Sequence, residues 1–342
     1  MDHNDIFDEA LDQEWERTQE ETQELNDLQQ LLHKRERKNL FRSVLAVVLI
    51  LLVLFFAIIP GLEFLFWNPK QNTYGIEFAN DLDLTLLVYS ELFTPSQMIW
   101  HAHPEHTGLG TYTLSVSMYE DFDPSVNQYN TAILRRGRLE FPQGFWRYLS
   151  VNLFDRASYP IYDMSEYTQQ YYREKLEALP DYVLVRAAVS FPEDMSMEEL
   201  ITFAGTLEEA NIEWVGIRNA PEEDQALPLC GMKPYMGGSV FTEMNEYYSC
   251  FDIKTLDVNA ENFETHFKTL LQFSQDQVDA GRGIPAGVNL YPNFYADVLN
   301  YVEENGVMTY GCYVVCDAKQ LLELLDNGTA SQIWPVEAWI DI

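Results

Sequence analysis

The chain has 342 residues, of which 21 are basic and 54 acidic, for a net charge of −33. A balance this acidic argues against binding nucleic acid or another anionic polymer directly, and favours basic partners, divalent cations or a well-solvated surface. Residues 1–42 carry 12 acids and 6 bases, and the rest carries 42 and 15, so −6 falls on the first segment and −27 on the remainder.

Residues 1–33 hold 11 acids and one base, yet apolar positions recur at helical spacing. Phe7, Leu11 and Trp15 stand four apart, and Leu25, Leu28 and Leu32 follow three and four apart. This pattern predicts two stretches of acidic amphipathic helix, marginal in isolation because short helices rarely hold in water and like charges repel. A purely solvating tail has no need of a tryptophan-containing stripe, so Phe7, Leu11, Trp15, Leu25 and Leu28 are the candidate partner-binding residues.

From Ser43 to Leu62 the chain carries no charge, and the 16 residues Val44–Ile59 are all apolar. At about 1.5 Å per residue the stretch just crosses a hydrocarbon core of about 30 Å. Lys34, Arg35, Arg37, Lys38 and Arg42 crowd its N-terminal side, whereas Lys70 is the only Lys or Arg between the span and Arg135. The positive-inside rule then puts the N-terminus in the cytoplasm and the rest of the chain outside the cell. The 42 residues ahead of the span, and Pro60-Gly61-Leu62-Glu63 after it, are unlike a cleaved signal peptide, so the span is expected to remain as an anchor. Pro60 and Gly61 either simply end the helix or offer a protease a place to unwind it.

Beyond the anchor, Asn68 to about Leu109 reads as a loosely structured stalk or N-terminal addition. Tyr112, Leu114, Val116 and Met118 alternate with Thr and Ser as in a half-buried strand, a second strand is expected over Thr131–Leu139, and a polar helix over Tyr162–Leu179. A repeated strand–helix–strand unit follows. Its first copy is strand Val183–Phe191, a capping signature at Ser196 and Glu199, a helix face of Leu200, Phe203, Ala204 and Leu207, and strand Ile212–Ile217. The second is strand Tyr310–Val315, capping residues Asp317 and Gln320, Leu321, Leu324 and Leu325, and strand Ile333–Ile340. Helices over Ala260–Ala280 and Pro292–Asn305 lie between, each stopped by glycine. The expected fold class is α+β: a single transmembrane helix, then an extracytoplasmic domain whose two βαβ units form a ferredoxin-like antiparallel sheet.

Chemistry is sparse. No nucleophile elbow, HExxH, Walker loop or dinucleotide fingerprint is present, so no catalytic residue and no cofactor is assigned and an enzyme is not expected. His101, His103, Glu105 and His106 are read as a polar turn around Pro104, as ligands for zinc or copper, or as a pH-sensitive switch near neutrality, and the sequence leaves that choice open. Asp121, Asp123, Ser125 and Asn127 open like a calcium loop but lack its glycine and its closing glutamate. Cys312 and Cys316 lie about 13 Å apart along one strand, which leaves Cys230–Cys250 as the simplest disulfide and buried free thiols as the alternative.

The run Asn293-Phe-Tyr-Ala-Asp-Val-Leu-Asn-Tyr-Val-Glu-Glu-Asn-Gly306, followed by Thr309-Tyr-Gly-Cys-Tyr-Val-Val-Cys316, resembles the C-terminal module of the sigma-factor-regulator family. Val185–Leu200 and Glu213-Trp-Val-Gly-Ile217 resemble its opening, so the likeness covers about residues 165–340. The basic run Lys34–Arg42, the anchor and Gly108–Val116 resemble the family's N-terminal module more loosely. The resemblance implies a membrane-anchored anti-sigma factor of Gram-positive bacteria; its partner is then expected to be an extracytoplasmic-function sigma factor, released either through an intramembrane or envelope protease acting near Pro60 or through a change in assembly. It carries no site residue across. Zinc-binding anti-sigma factors hold the metal with His and Cys in the cytoplasmic part, and residues 1–42 here contain no cysteine.

The resulting plan is a cytoplasmic acidic helical segment (1–42), a transmembrane helix (43–62), an extracytoplasmic β-containing region (63–160) and an extracytoplasmic α+β regulator domain (161–342). The rival reading is an envelope binding module that captures its ligand outside the cell and has no transcriptional role.

Overall fold

The computed structural model describes residues 3–58, 61, 66–95, 97–120, 127–140, 166–207, 211–221, 230–234, 241–282, 284–285 and 293–340. The chain forms two compact units, Met1–Leu65 and Phe66–Ile342.

The first unit is one helix, α1, running His3–Val53 and passing into a π-helical turn at Leu54–Ile58. Its 51 residues span about 77 Å at the α-helical rise. Where two stretches of helix were expected, the backbone is unbroken, so both apolar series share one rod. The segment Leu31–Phe56 contains a window long and apolar enough to cross a membrane. Side chains from Val44 to Phe56 are exposed all round, an arrangement that water does not tolerate and a hydrocarbon surrounding does. Pro60 lies outside the described residues.

The second unit holds two five-stranded sheets. The first comprises β1 (Gln97–Gly108), β2 (Thr111–Glu120), β3 (Asn127–Arg135), β4 (Arg138–Glu140) and the short β8 (Ile284–Pro285), in the order β1-β2-β3-β4-β8. β1 to β4 form an antiparallel meander, and β8 joins parallel to β4. The strand expected over Thr131–Leu139 is in fact a hairpin. Arg136 and Gly137, both at positive φ (50° and 81°), make the two-residue turn whose twist suits paired strands.

Larger corrections fall on residues 68–109. Instead of a stalk, this region contains helix α2 (Asp81–Phe93) and the whole of β1. Twelve of the 13 residues of α2 are buried, because Leu82 and Leu86 pack on the first sheet while Leu84, Leu87, Val88 and Leu92 enter a larger core. A helix buried on both sides shows no polar face, so its sequence has no 3.6-residue periodicity to detect.

That larger core lies against the second sheet, built from β5 (Val183–Ser196), β6 (Asn211–Ile217), β7 (Cys230–Met232), β9 (Met308–Asp317) and β10 (Gln332–Ile340). The order is β10-β5-β9-β6-β7 and every pair is antiparallel. The first strands of the two repeated units, β5 and β9, lie side by side, and their return strands β10 and β6 flank them. The connecting helices α4 (Met197–Ala204) and α7 (Ala318–Asp326) start at Ser196 and Asp317, as the capping signatures predict. Ser196 and Glu199 close a full capping box; Asp317 accepts from the Gln320 N–H at 2.8 Å. Helices α3 (Glu166–Glu177), α5 (Ala260–Asp279) and α6 (Phe294–Asn305) complete the unit; residues 162–165 and Pro292 of the expected helices lie outside the described residues. One face of the sheet presents Val185, Val189, Val215, Cys312 and Val314 to these helices, and the other carries Ala188, Trp214, Tyr310 and Tyr313.

All four cysteines are free thiols, so the Cys230–Cys250 bond does not form. Burial pushes the Cys230 and Cys316 thiols up to about 12, which keeps them protonated and unreactive.

Gly231 in β7 lies where its strand meets β6: a Cβ added there would overlap the Val215 carbonyl oxygen and the Trp214 indole. Gly231→Ala is therefore expected to cost about 1–3 kcal/mol or more. Urea unfolding of the purified chain measures it, and a variant as stable as the parent contradicts the packing.

Candidate functional site

Partner-binding residues expected from sequence all fall on α1. At 100° per residue, positions 7, 11, 15, 25, 28 and 32 fall within an arc of about 140° on an uninterrupted helix. The side chains of Phe7 and Leu11 lie outside the described residues, whereas Trp15, Leu25 and Leu28 are 66%, 61% and 59% exposed. Exposed leucines and a tryptophan on an acidic rod are what a hydrophobic groove in a basic partner would cover.

In the second unit, helix α2 carries carboxylates into the interior. Glu91 lies near its C-terminal end and His266 on the apolar face of α5, both buried. His266 Nε2 is 2.7 Å from Glu91 Oε1, and Nδ1 is 2.7 Å from the Cys250 carbonyl oxygen. Both ring nitrogens face oxygen atoms, and the imidazolium, which donates from both, satisfies a carboxylate and a carbonyl there. Burial alone would lower the His266 pKa. The facing Glu91 carboxylate, the Cys250 carbonyl and the nearby Asp252 outweigh it and raise the value above that of an ordinary histidine. Burial also raises Asp252. Around this pair the Lys233 N–H donates to Glu91 Oε1 at 3.3 Å, Lys233 Nζ to the Gln97 carbonyl at 3.0 Å, and Trp214 Nε1 to the Glu91 carbonyl at 2.8 Å. The network joins α2, β7, α5, β6 and the start of β1. Sequence reading missed it; the only signal was one histidine among Phe263, Phe267 and Leu270, and one glutamate in an apolar run.

The histidine cluster lies in a strand rather than in the polar turn considered from sequence. His101, His103 and Glu105 alternate with buried Ala102 and Pro104 along β1, so they share its outward face. His106 has the opposite parity, and its ring stands edge-on to Tyr112 with centroids 5.3 Å apart. Among the described residues no three His, Cys, Asp or Glu converge as a preformed metal cage. Of the calcium-like run, 121–126 lie outside the described residues and Asn127 opens β3.

A cavity of about 620 Å³ opens between α3, α7 and the start of β10, lined by Gln169, Gln170, Tyr172, Arg173, Leu325 and Ser331 among others. Arg173 is held there by Asp326 and Glu177.

Residues 176–332, from the last turn of α3 into β10, match the family described as Sigma factor regulator C-terminal. The match covers 157 of the 342 residues, and over that segment the chain is similar to a sigma factor regulator C-terminal domain. The family's description is regulatory, and the likeness suggests an anti-sigma role. The matched domain includes β5, β6, β7, β9, α4 to α7 and His266, and leaves out α2 with Glu91, so the buried ion pair ties the regulator domain to sequence beyond it. No curated protein and no solved structure gives a significant match.

The pair fixes a pH response. With the folded-state pKa of His266 above the unfolded value of about 6.5, its stabilisation is complete below about pH 6.5 and is lost as pH rises through the raised value. Thermal unfolding of the chain is expected to move to lower temperature as pH rises above about 6.5, and His266→Gln to lack that component. Glu91→Gln removes the carboxylate that favours the charged ring, so burial drives His266 to its neutral form and the variant is expected to lose about 1–3 kcal/mol. A Glu91→Gln chain as stable as the parent would show that the pair contributes nothing.

Proposed function

We propose that this chain is a membrane-anchored anti-sigma factor. Its first 42 residues lie in the cytoplasm and sequester an extracytoplasmic-function sigma factor; residues 43–62 span the membrane; residues 63–160 and 161–342 form an extracellular β-containing region and a regulator domain that control release. The strands β10-β5-β9-β6 of that domain follow a ferredoxin-like plan, with β7 added at one edge. The observation that carries the reading is the regulator domain match over residues 176–332, on a chain whose remaining long element is an apolar, partly acidic helix.

Orientation rests on the Lys and Arg residues between 34 and 42. On the cytoplasmic side, Phe7, Leu11, Trp15, Leu25 and Leu28 would enter a groove on the sigma factor, while the acids of α1 occupy the surface that otherwise meets nucleic-acid phosphates. Those charges speed encounter and make capture sensitive to salt. Release proceeds either by cleavage near Pro60, by an intramembrane or envelope protease, or by a change in assembly; a tagged chain that stays full length during induction excludes the first.

Capture of a sigma factor by the detergent-solubilised chain tests the reading. The combined Trp15→Ala and Leu25→Ala change is expected to weaken capture by about 2 kcal/mol or more, and raised salt to weaken it further. The cavity beside α3 favours one rival, an extracellular binding module with no transcriptional role. Deleting residues 3–33 separates the two: derepression of a sigma regulon supports the anti-sigma reading, and unchanged transcription hands the case to the binding module.

A further inference from the structure

We propose that His101 and His103 form a two-imidazole chelate for a borderline divalent metal ion such as Zn2+ on the edge strand β1, with Asp83 of α2 as the positioning residue. Two residues apart on a strand, their side chains leave the backbone on the same side, and the residues opposite them on β2 are the small Ser117 and Ser115. His103 is exposed and His101 is 46% exposed, so an ion from solvent can reach both.

What distinguishes this pair from a polar surface is the support behind it. His101 Nδ1 lies 3.0 Å from Asp83 Oδ1, and the Asp83 side chain is only 3% exposed. That carboxylate is itself held: Oδ1 accepts from the Ala102 N–H at 2.9 Å and Oδ2 from the Asn80 N–H at 3.1 Å. A buried carboxylate on Nδ1 selects the tautomer with its lone pair on Nε2, the arrangement that orients ligating histidines and raises their basicity. Imidazole nitrogens suit Zn2+, Cu2+ and Ni2+, and two of them leave the remaining tetrahedral positions to water, consistent with the lack of a preformed three-residue cage among the described residues. The net charge of −27 over residues 43–342 favours the approach of a cation. His106, on the opposite face of β1 beside Tyr112, takes no part. The proposal is independent of the sigma-factor reading.

Calorimetric titration of the full detergent-solubilised chain with ZnCl2 tests it. The chain is expected to show a saturable site that His101→Ala and His103→Ala each weaken by tenfold or more, and that Asp83→Asn weakens by about 10–100-fold. His106→Ala should bind as the parent does. Circular dichroism checks that the variants fold, and should Asp83→Asn unfold, the two histidine variants still decide. The absence of a saturable site, binding by the His101→Ala/His103→Ala double variant equal to the parent's, or an equal loss in His106→Ala each overturns the proposal.

Discussion

The second unit depends on the burial of one short helix between two sheets. Helix α2 has sheet one on its Leu82 and Leu86 side and the regulator core on its Leu84, Leu87 and Leu92 side, and its three carboxylates reach three different parts of the unit. Asp81, in the first turn, accepts from the Thr73 backbone N–H at 2.7 Å and from Arg282 Nη1, beyond α5, at 3.2 Å. Asp83 holds the edge of β1 through the Ala102 N–H at 2.9 Å. Glu91, near the other end, meets His266 of α5. Acids in the first turn also suit the positive end of the helix dipole, so local and tertiary preferences agree.

Such an arrangement makes the two sheets hard to separate. Apolar burial alone is non-directional and tolerates sliding, whereas a buried carboxylate with a single cationic partner does not: moving either leaves a charge in a medium that cannot solvate it. The Glu91–His266 contact therefore acts as a registration point more than as a source of net stability. It lies where the matched segment meets the rest of the unit, and β8, which pairs with β4, gives that segment a second link to the first sheet.

Helix α1 obeys a different balance. Among the described residues of its own unit nothing covers its apolar side chains, and an isolated helix of this composition has little to hold it in water. From Val44 to Phe56 a hydrocarbon surrounding resolves the difficulty, because every backbone donor and acceptor is satisfied within the helix. Toward the N-terminus the same rod carries the exposed stripe of Trp15, Leu25 and Leu28, the surface assigned to a partner in the proposed function.

Much of this was legible in the sequence wherever one local rule was strong. The charge-free run after Arg42, the capping pairs at Ser196/Glu199 and Asp317/Gln320, and the period-two alternation of β2 each follow from short-range physics, and the elements they predict are present. The resemblance over Asn293–Gly306 and Thr309–Cys316 likewise rests on contiguous residues. What only the tertiary structure decided are the features whose cause lies far along the chain. Helix α2 escaped notice because burial on two sides erases periodicity, and Pro104 and the histidines of β1 read as a turn because edge pairing cannot be inferred from one strand. Glu91 and His266 stand 175 residues apart and meet only once two sheets close on a shared helix. Sequence determines which residues need a partner; the closed fold decides which partner they meet, because a buried charge is tolerated only where another element brings its complement within hydrogen-bonding distance.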